Sequence, residues 1–252
     1  MSPKDWDAVI ATGKKAARSG LTLAIGLKGV HSLMTFFTLC ANLGKPCATK
    51  LDEDFCDIAT ALTALALMRE LLTFCPPQAL DWNAIALLDA MVARDDLILC
   101  PAVYCYATYA EADQRRPLRF RDFAGPNGAA GTTLGGAGLG ISARSRDLEA
   151  ARDYARFAAE AATQIAFARH HGQPARVEAW DDPGIDEIFG GCYRDTRATQ
   201  TATWIRPRYN GYLTFQKEAG DLIETHLREG GAAAPLIERL STLHRQSGKP
   251  AT

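Results

Sequence analysis

The sequence predicts an α/β or α+β protein in which helices outweigh strands. Long stretches with apolar residues at helical spacing alternate with short apolar runs that are typical of buried strands. Glycine and proline residues mark the ends of several of these stretches. Of the 252 residues, 47% are hydrophobic, which is enough for a sizeable core and too many for a disordered chain.

Helices are predicted wherever capping residues precede apolar residues at helical spacing. Ser2 and Pro3 would begin the first helix, which Gly20 would end. Further helices are expected over residues 29–43, 53–74, 81–93, 147–170, 185–196, 210–228 and 234–244.

Short strands are predicted between these helices. Apolar runs at 21–25 and 97–100 indicate buried strands. Residues 118–123 alternate apolar with charged side chains, as a half-exposed strand does, and a further strand is expected at 139–142 after a glycine-rich stretch.

Charge and hydropathy exclude several classes of function. With 28 basic and 29 acidic side chains, the net charge of -1 gives no overall field for nucleic acid or an anionic membrane. The most apolar stretch, 21–43, is interrupted by Lys28 and His31, so it falls short of the roughly 18 uninterrupted apolar residues of a membrane span. Residues 1–6 lack the basic and apolar regions of a signal peptide, so the chain as written would stay in the cytoplasm.

The glycine run at 135–140 invites comparison with nucleotide-binding loops. The dinucleotide motif needs a third glycine where this chain has Ile141, and it leads into a helix where a strand is predicted here. The Gly-Lys-Ser/Thr of a phosphate loop does not follow. We interpret the run as a hinge or a closely packed turn, and we expect no cofactor.

The cysteines and histidines do not form a metal or catalytic motif. No CxxC pair occurs among the seven cysteines, and the five histidines are dispersed. Cys40 and Cys47 flank a turn and could form a disulfide in an oxidising compartment, as could Cys100 and Cys105. Burial as small apolar side chains is the alternative for all of them.

Aromatic residues near predicted helix ends and loops are the best candidates for a ligand site. They are interleaved with planar polar side chains, the combination that suits a sugar, whose ring offers apolar C–H faces and a rim of hydroxyls. Packing in the core or at the surface is the alternative for each. The aromatic residues are Trp82, Tyr104, Tyr106, Tyr109, Trp180, Trp204, Tyr209 and Tyr212, and the polar ones are Asn83, Gln173, Arg206, Arg208 and Asn210.

A series of short motifs runs through nearly the whole chain in a fixed order. Pro-Lys-Asp-Trp-Asp at 3–7 precedes an apolar helix, and Asp-Ala-Met at 89–91 precedes a strand. The glycine-rich segment 135–142 leads to Ser145 and a helix, and Gln-Pro-Ala-Arg follows at 173–176. This order resembles the family 1 extracellular solute-binding proteins, the maltose-binding-protein-like components of carbohydrate ABC importers.

The resemblance implies a helix-rich α/β fold of the periplasmic-binding-protein-like (type II) kind, whose two lobes close around a solute. In the family these motifs begin midway, after a signal peptide and most of the first lobe. We therefore expect residues 1–125 to be second-lobe, 126–185 to be a strand–helix segment returning to the first lobe, 186–247 to be helices packing on the second lobe, and 248–252 to be a tail. Such proteins are periplasmic or extracellular.

The resemblance also implies a non-catalytic function. A monomer would bind a sugar-like solute and deliver it to the permease subunits of an ABC importer. His31 would lie at the cleft edge, Tyr104 and Tyr106 would be stacking platforms, and two glycines would let backbone approach the ligand. The residues that match cleft positions are His31, Tyr104, Tyr106, Gly135, Gly136, Trp204, Arg206, Tyr209 and Asn210.

Two other functions stay open from the sequence. Asp95, Asp96, His31 and Arg206 could form the polar pocket of a small cytoplasmic enzyme domain, although no nucleophile–base pair supports it. The chain could also be a truncated remnant that no longer binds a solute.

Overall fold

A computed structural model describes residues 2–248, so Met1 and most of the predicted tail at 248–252 lie outside the described residues. The described chain divides into two compact units. Unit 1 comprises residues 2–104, 123–134 and 198–248, and unit 2 comprises Cys105–Asp122 and Gly135–Arg197. The predicted segments 1–125, 126–185 and 186–247 have other boundaries, and their assignment to lobes stays a prediction.

Twelve α-helices lie in the described residues. In chain order they are α1 Trp6–Ala17, α2 Val30–Asn42, α3 Ile58–Leu72, α4 Ala84–Ala93, α5 Leu148–Ala159, α6 Ala161–Arg169, α7 Val177–Trp180, α8 Pro183–Ile188, α9 Cys192–Asp195, α10 Arg197–Thr201, α11 Tyr212–Glu229 and α12 Ala233–Gln246. None of the helices in residues 2–248 is both long enough and apolar enough to cross a membrane.

Several helices begin or end at places that the spacing of apolar residues does not predict. A capping side chain or a change of backbone conformation sets these boundaries. Asp5, not Ser2, caps α1, since its carboxylate accepts from the Ala8 N–H at 2.8 Å. The predicted helix 147–170 is broken at Glu160, which is extended at φ -68°, ψ 147° and separates α5 from α6. The predicted helix 185–196 is split by Gly190 and Gly191, whose φ angles are positive.

The sheet is smaller than predicted. Strands β1 (Thr22–Leu23) and β2 (Leu97–Leu99) pair in parallel, and Thr133 forms an isolated bridge with Trp204. The predicted strands at 118–123 and 139–142 are wrong, because neither segment has a neighbouring strand to bond with in the described chain.

Helix α2 forms the centre of unit 1. Eleven of its residues, from Ser32 to Asn42, are buried, because its sequence is apolar or small on every side. It packs against α3 and α11, where Phe36 and Phe37 meet the rings of Phe55 and Phe215 in one cluster. A helix apolar all round is stable only inside such a core.

The C-terminal end of α2 is fixed by one buried amide. Asn42 is fully buried, and its Oδ1 accepts from Trp6 Nε1 of α1 at 3.0 Å. Its Nδ2 donates to the carbonyls of Gly128 at 3.2 Å and Ala130 at 2.8 Å. Gly125 is required beside it, since a Cβ there would overlap the Asn42 side chain. This amide therefore joins α1, α2 and the 123–134 segment.

Unit 2 has a small core of its own. Trp180, Phe189 and Tyr193 pack together, and the indole of Trp180 donates to the Pro174 carbonyl at 2.9 Å. Helix α5 has no buried residue, and its Tyr154 and Phe157 rings are exposed. The core of unit 2 therefore depends on α6 to α9 and the turn at Ala107–Ala110.

Replacing Asn42 by alanine is expected to destabilise unit 1 by about 2–4 kcal/mol, because the Trp6 indole and two carbonyls would lose their buried partner. Denaturant unfolding followed by tryptophan fluorescence measures the loss. The exposed Asn210→Ala is the control and should stay within about 0.5 kcal/mol of the wild type. Equal stabilities of the Asn42→Ala and Asn210→Ala variants would show that the buried amide does not organise the unit.

Candidate functional site

Unit 1 brings an arginine and aromatic side chains together beside the first turns of α2. The Arg206 Nη1 atom donates to Gln216 Oε1 at 3.0 Å and approaches Met34 Sδ at 3.5 Å. Tyr212 and Tyr104 lie close enough to interact electrostatically with each other, and Arg206 with Tyr212. We call Met34, Tyr104, Arg206, Tyr212 and Gln216 the Arg206 cluster.

Burial controls the chemistry of the Arg206 cluster. The Tyr212 side chain is buried, and this burial raises the pKa of its phenol, while the Arg206 guanidinium acts in the opposite direction. Tyr212 therefore stays a neutral phenol around neutral pH. Arg206 is half-buried and held by Gln216, so its charge sits at the edge of an aromatic surface.

Two of the predicted residues, Tyr104 and Arg206, belong to the Arg206 cluster, and Tyr209 adjoins it through Tyr212. Trp204 instead packs edge-on against Phe37, with ring centroids 5.2 Å apart. Its backbone N–H donates to the Thr132 carbonyl at 2.7 Å, so Trp204 joins the chain segment around Arg206 to the segment around Thr132.

The hydroxyl of Tyr209 is hydrogen-bonded to another side chain of the protein. That hydroxyl hydrogen-bonds with Ser247 Oγ at 2.9 Å and lies 3.4 Å from His244 Nδ1. The neighbouring Asn210 is exposed. The role of Tyr209 and Asn210 in ligand binding stays a prediction.

His31 lies in the first turn of α2, where its backbone N–H donates to the Lys28 carbonyl at 3.2 Å. The ring is half-buried, and burial lowers its pKa below the ordinary histidine value. Near neutral pH it is therefore an uncharged imidazole that can donate or accept one hydrogen bond.

The remaining predicted residues belong to unit 2. Tyr106, Gly135 and Gly136 are exposed there. A Cβ at Gly136 would meet no atom within 4 Å, so nothing in the protein requires glycine at that position. Their role in ligand binding stays a prediction.

Asp96 and Arg206, two residues of the enzyme alternative, have different partners in the structure. The Asp96 carboxylate accepts from Arg94 at 2.9 and 2.7 Å, which lowers the pKa of Asp96, whereas Arg206 bonds with Gln216. Residues 2–248 also contain no group of three or more potential ligands that could hold a metal ion.

Cys40 and Cys47 are buried free thiols that contact each other. Burial, together with the hydrogen bond between the two side chains, raises the pKa of Cys47 well above its ordinary value. A disulfide between them stays a prediction.

Sequence reasoning missed Met34 and Gln216. Gln216 lies four residues after Tyr212, on the same face of α11, so the helical spacing could have identified it. Met34 had no such signal, because a methionine in an apolar helix is typical of a core.

No protein-family model and no curated protein sequence matches the chain. Maltose-bound MalE3 of T. maritima superposes with a TM-score of 0.72 at 18% identity, over 97% of this chain and 66% of that chain. UgpB from Mycobacterium tuberculosis in complex with glycerophosphocholine also superposes with a TM-score of 0.72. The two sequences are 16% identical, and the match covers 97% of this chain and 63% of that chain. An ABC transporter solute-binding protein from Agrobacterium radiobacter K84 in complex with ribitol superposes with a TM-score of 0.67. The two sequences are 14% identical, and the match covers 98% of this chain and 65% of that chain.

The chain has the periplasmic-binding-protein-like (type II) fold. The resemblance drawn from its short motifs is thereby confirmed at the level of fold. The chain spans about two thirds of the length of these solved structures.

The imidazole of His244, beside Tyr209, is expected to make stability depend on pH. The side chain is fully buried, its Nε2 donates to the Lys50 carbonyl at 3.0 Å, and burial lowers its pKa. The unfolded chain, with a histidine pKa near 6.5, therefore binds the proton more readily than the folded chain. Stability should be highest above pH ~6.5 and should fall as the pH decreases from there toward the folded-state pKa.

Denaturant unfolding between pH 5 and 8 measures this dependence for the wild type and for His244→Gln, which keeps an N–H donor without a titrating ring. The free energy of unfolding of His244→Gln should decrease less at low pH than that of the wild type. His170→Gln, at an exposed position, is the control. Parallel pH profiles for the wild type and His244→Gln would contradict the role given to burial of this ring.

Proposed function

We propose that the chain binds a small polyhydroxylated solute of the carbohydrate class as a component of an ABC importer, without making or breaking a bond. The observation that carries this proposal is the Arg206 cluster, in a chain with the type II fold. Structures with that fold are described with maltose, with ribitol and with glycerophosphocholine. These three compounds share adjacent hydroxyl groups.

The cluster has the two chemical features that such a solute needs. Tyr104, which is half-buried, provides aromatic surface for the apolar C–H groups of the ligand, and the buried Tyr212 belongs to the core beside it. Arg206 provides directional donors for its hydroxyls, since a guanidinium has five N–H groups and the contacts to Gln216 and Met34 both involve Nη1. The hydrogen bond to Gln216 also restrains the Arg206 side chain, which lowers the entropy lost on binding.

The electrostatics favour a neutral or weakly anionic solute. The chain as a whole has a net charge of -1, and the Tyr212 phenol, whose pKa is raised by burial, stays neutral near neutral pH. Arg206 then adds one positive charge at the cluster. A strongly cationic solute would be repelled by this guanidinium.

The rest of the proposal follows the family resemblance. It includes closure of two lobes around the ligand, a monomeric state, permease subunits as partners, and a periplasmic or extracellular location. No cofactor and no catalytic residue form part of it.

Isothermal titration of the chain against maltose, ribitol, glycerophosphocholine and a panel of mono- and oligosaccharides tests the proposal. We expect at least one neutral or zwitterionic polyhydroxylated compound to bind. Arg206→Gln should weaken this binding by about tenfold or more, because a charged donor to a ligand hydroxyl contributes about 1.5–3 kcal/mol.

Arg208→Gln is the matched control, since Arg208 lies two residues further along, is exposed and has the same charge. It should bind as the wild type does, and circular dichroism should show both variants folded. Absence of binding to every compound, or equal weakening by the two variants, would refute the proposed site.

A further inference from the structure

Two cysteines of unit 2 meet although they lie far apart in the sequence. The Sγ atoms of Cys105 and Cys192 are 3.9 Å apart, across 87 residues of chain. Cys105 is half-buried two residues before the turn at Ala107–Ala110, and Cys192 is buried as the first residue of α9. Both are free thiols in the structure.

The backbone holds both thiols in place. The Cys105 carbonyl accepts from Gln173 Nε2 at 3.1 Å, and the Cys192 carbonyl accepts from Thr196 Oγ1 at 2.7 Å. Gly190 lets the turn before α9 come close, since its φ is 59° and a Cβ there would lie 2.7 Å from the Ala110 carbonyl oxygen. The approach of the two sulfurs is therefore part of the packing of unit 2.

Cys100, the cysteine nearest to Cys105 in the sequence, has different neighbours. Cys100 belongs to unit 1, where its Sγ lies 3.4 Å from the Ala102 carbonyl oxygen and its charge affects the pKa of Cys75. The pairing of Cys100 with Cys105, which their short separation in sequence allows, stays a prediction.

We propose that Cys105 and Cys192 are a modification site at which a small disulfide oxidant converts the two thiols into one disulfide. The two segments of unit 2, Cys105–Asp122 and Gly135–Arg197, are otherwise connected covalently only through Phe123–Leu134, which belongs to unit 1. The disulfide would join them directly and close unit 2 on itself.

The reaction is a pair of thiol–disulfide exchanges with oxidised glutathione as the oxidant. The Cys105 thiolate attacks one glutathione sulfur, forms a mixed disulfide and releases one glutathione thiolate. The Cys192 thiolate then attacks the Cys105 sulfur and releases the second glutathione thiolate. The protein loses two electrons and two protons, and one glutathione disulfide becomes two glutathione thiols.

The order of the two exchanges follows from accessibility. Cys192 is buried, and its pKa is raised by the hydrogen bond with Cys105, by burial and by the nearby Asp186. Its thiol therefore stays protonated while Cys105 reacts. Formation of the mixed disulfide removes the Cys105 thiol and leaves Cys192 as the nucleophile that resolves it.

Non-reducing peptide mapping of the full chain after incubation with oxidised glutathione tests the proposal. Mass spectrometry should find a linked pair of peptides that contain Cys105 and Cys192, lighter by two hydrogens than the separate peptides. Reduction with dithiothreitol should abolish the pair. Oxidation should also raise the unfolding midpoint reported by Trp180, the tryptophan of unit 2.

Cys192→Ser should retain glutathione as a stable adduct on Cys105, because the resolving thiol is absent. Cys75→Ser is the control and should form the linked peptide as the wild type does. If Cys192→Ser does not fold, the non-reducing peptide map of the wild type still tests the proposal by itself. Linkage of Cys105 to another cysteine, or a persistent glutathione adduct on wild-type Cys105, would overturn the proposal.

Discussion

Burial of α2 is the constraint on which unit 1 depends. A helix of thirteen residues with eleven of them buried has to be enclosed by other elements, and α3, α11 and the 123–134 segment provide that enclosure. At its N-terminal end, Ser32 Oγ donates to the Gly29 carbonyl at 2.6 Å and lies 3.1 Å from the Gly220 carbonyl of α11. At its C-terminal end, Asn42 satisfies the buried indole N–H of Trp6 and also donates to the carbonyls of Gly128 and Ala130.

The same enclosure creates the candidate site. Because α11 packs closely on α2, Arg206 Nη1 contacts both Gln216 of α11 and Met34 of α2, and Arg206 also interacts with Tyr212. Gly220 makes this approach feasible, since a Cβ there would lie 2.7 Å from the Gly29 carbonyl oxygen. The Arg206 cluster is thus a consequence of helix packing, which holds its side chains in fixed positions.

The sequence predicted most helices, two of the strands and two members of the Arg206 cluster, whose role in binding stays a prediction. Helical spacing identified α2, α11 and α12, because their apolar residues repeat over long stretches. It did not show that Glu160 breaks the helix after α5, since a single extended residue leaves no periodic signal. Residue type predicted Tyr104 and Arg206 but could not show that the Tyr209 hydroxyl bonds with Ser247, a contact across 38 residues. The Cys105–Cys192 contact joins residues that are 87 positions apart, so the local spacing of residues could not predict it either.

We propose that a polyhydroxylated solute binds at the Arg206 cluster. Hydrogen–deuterium exchange of the chain, measured with and without maltose, ribitol and glycerophosphocholine, tests this binding and assigns it to segments of the chain. We expect at least one of these compounds to slow exchange in residues 204–216 and in the first turn of α2, and to leave α12 unchanged. Unchanged exchange in those two segments with all three compounds, or protection confined to other parts of the chain, would contradict it.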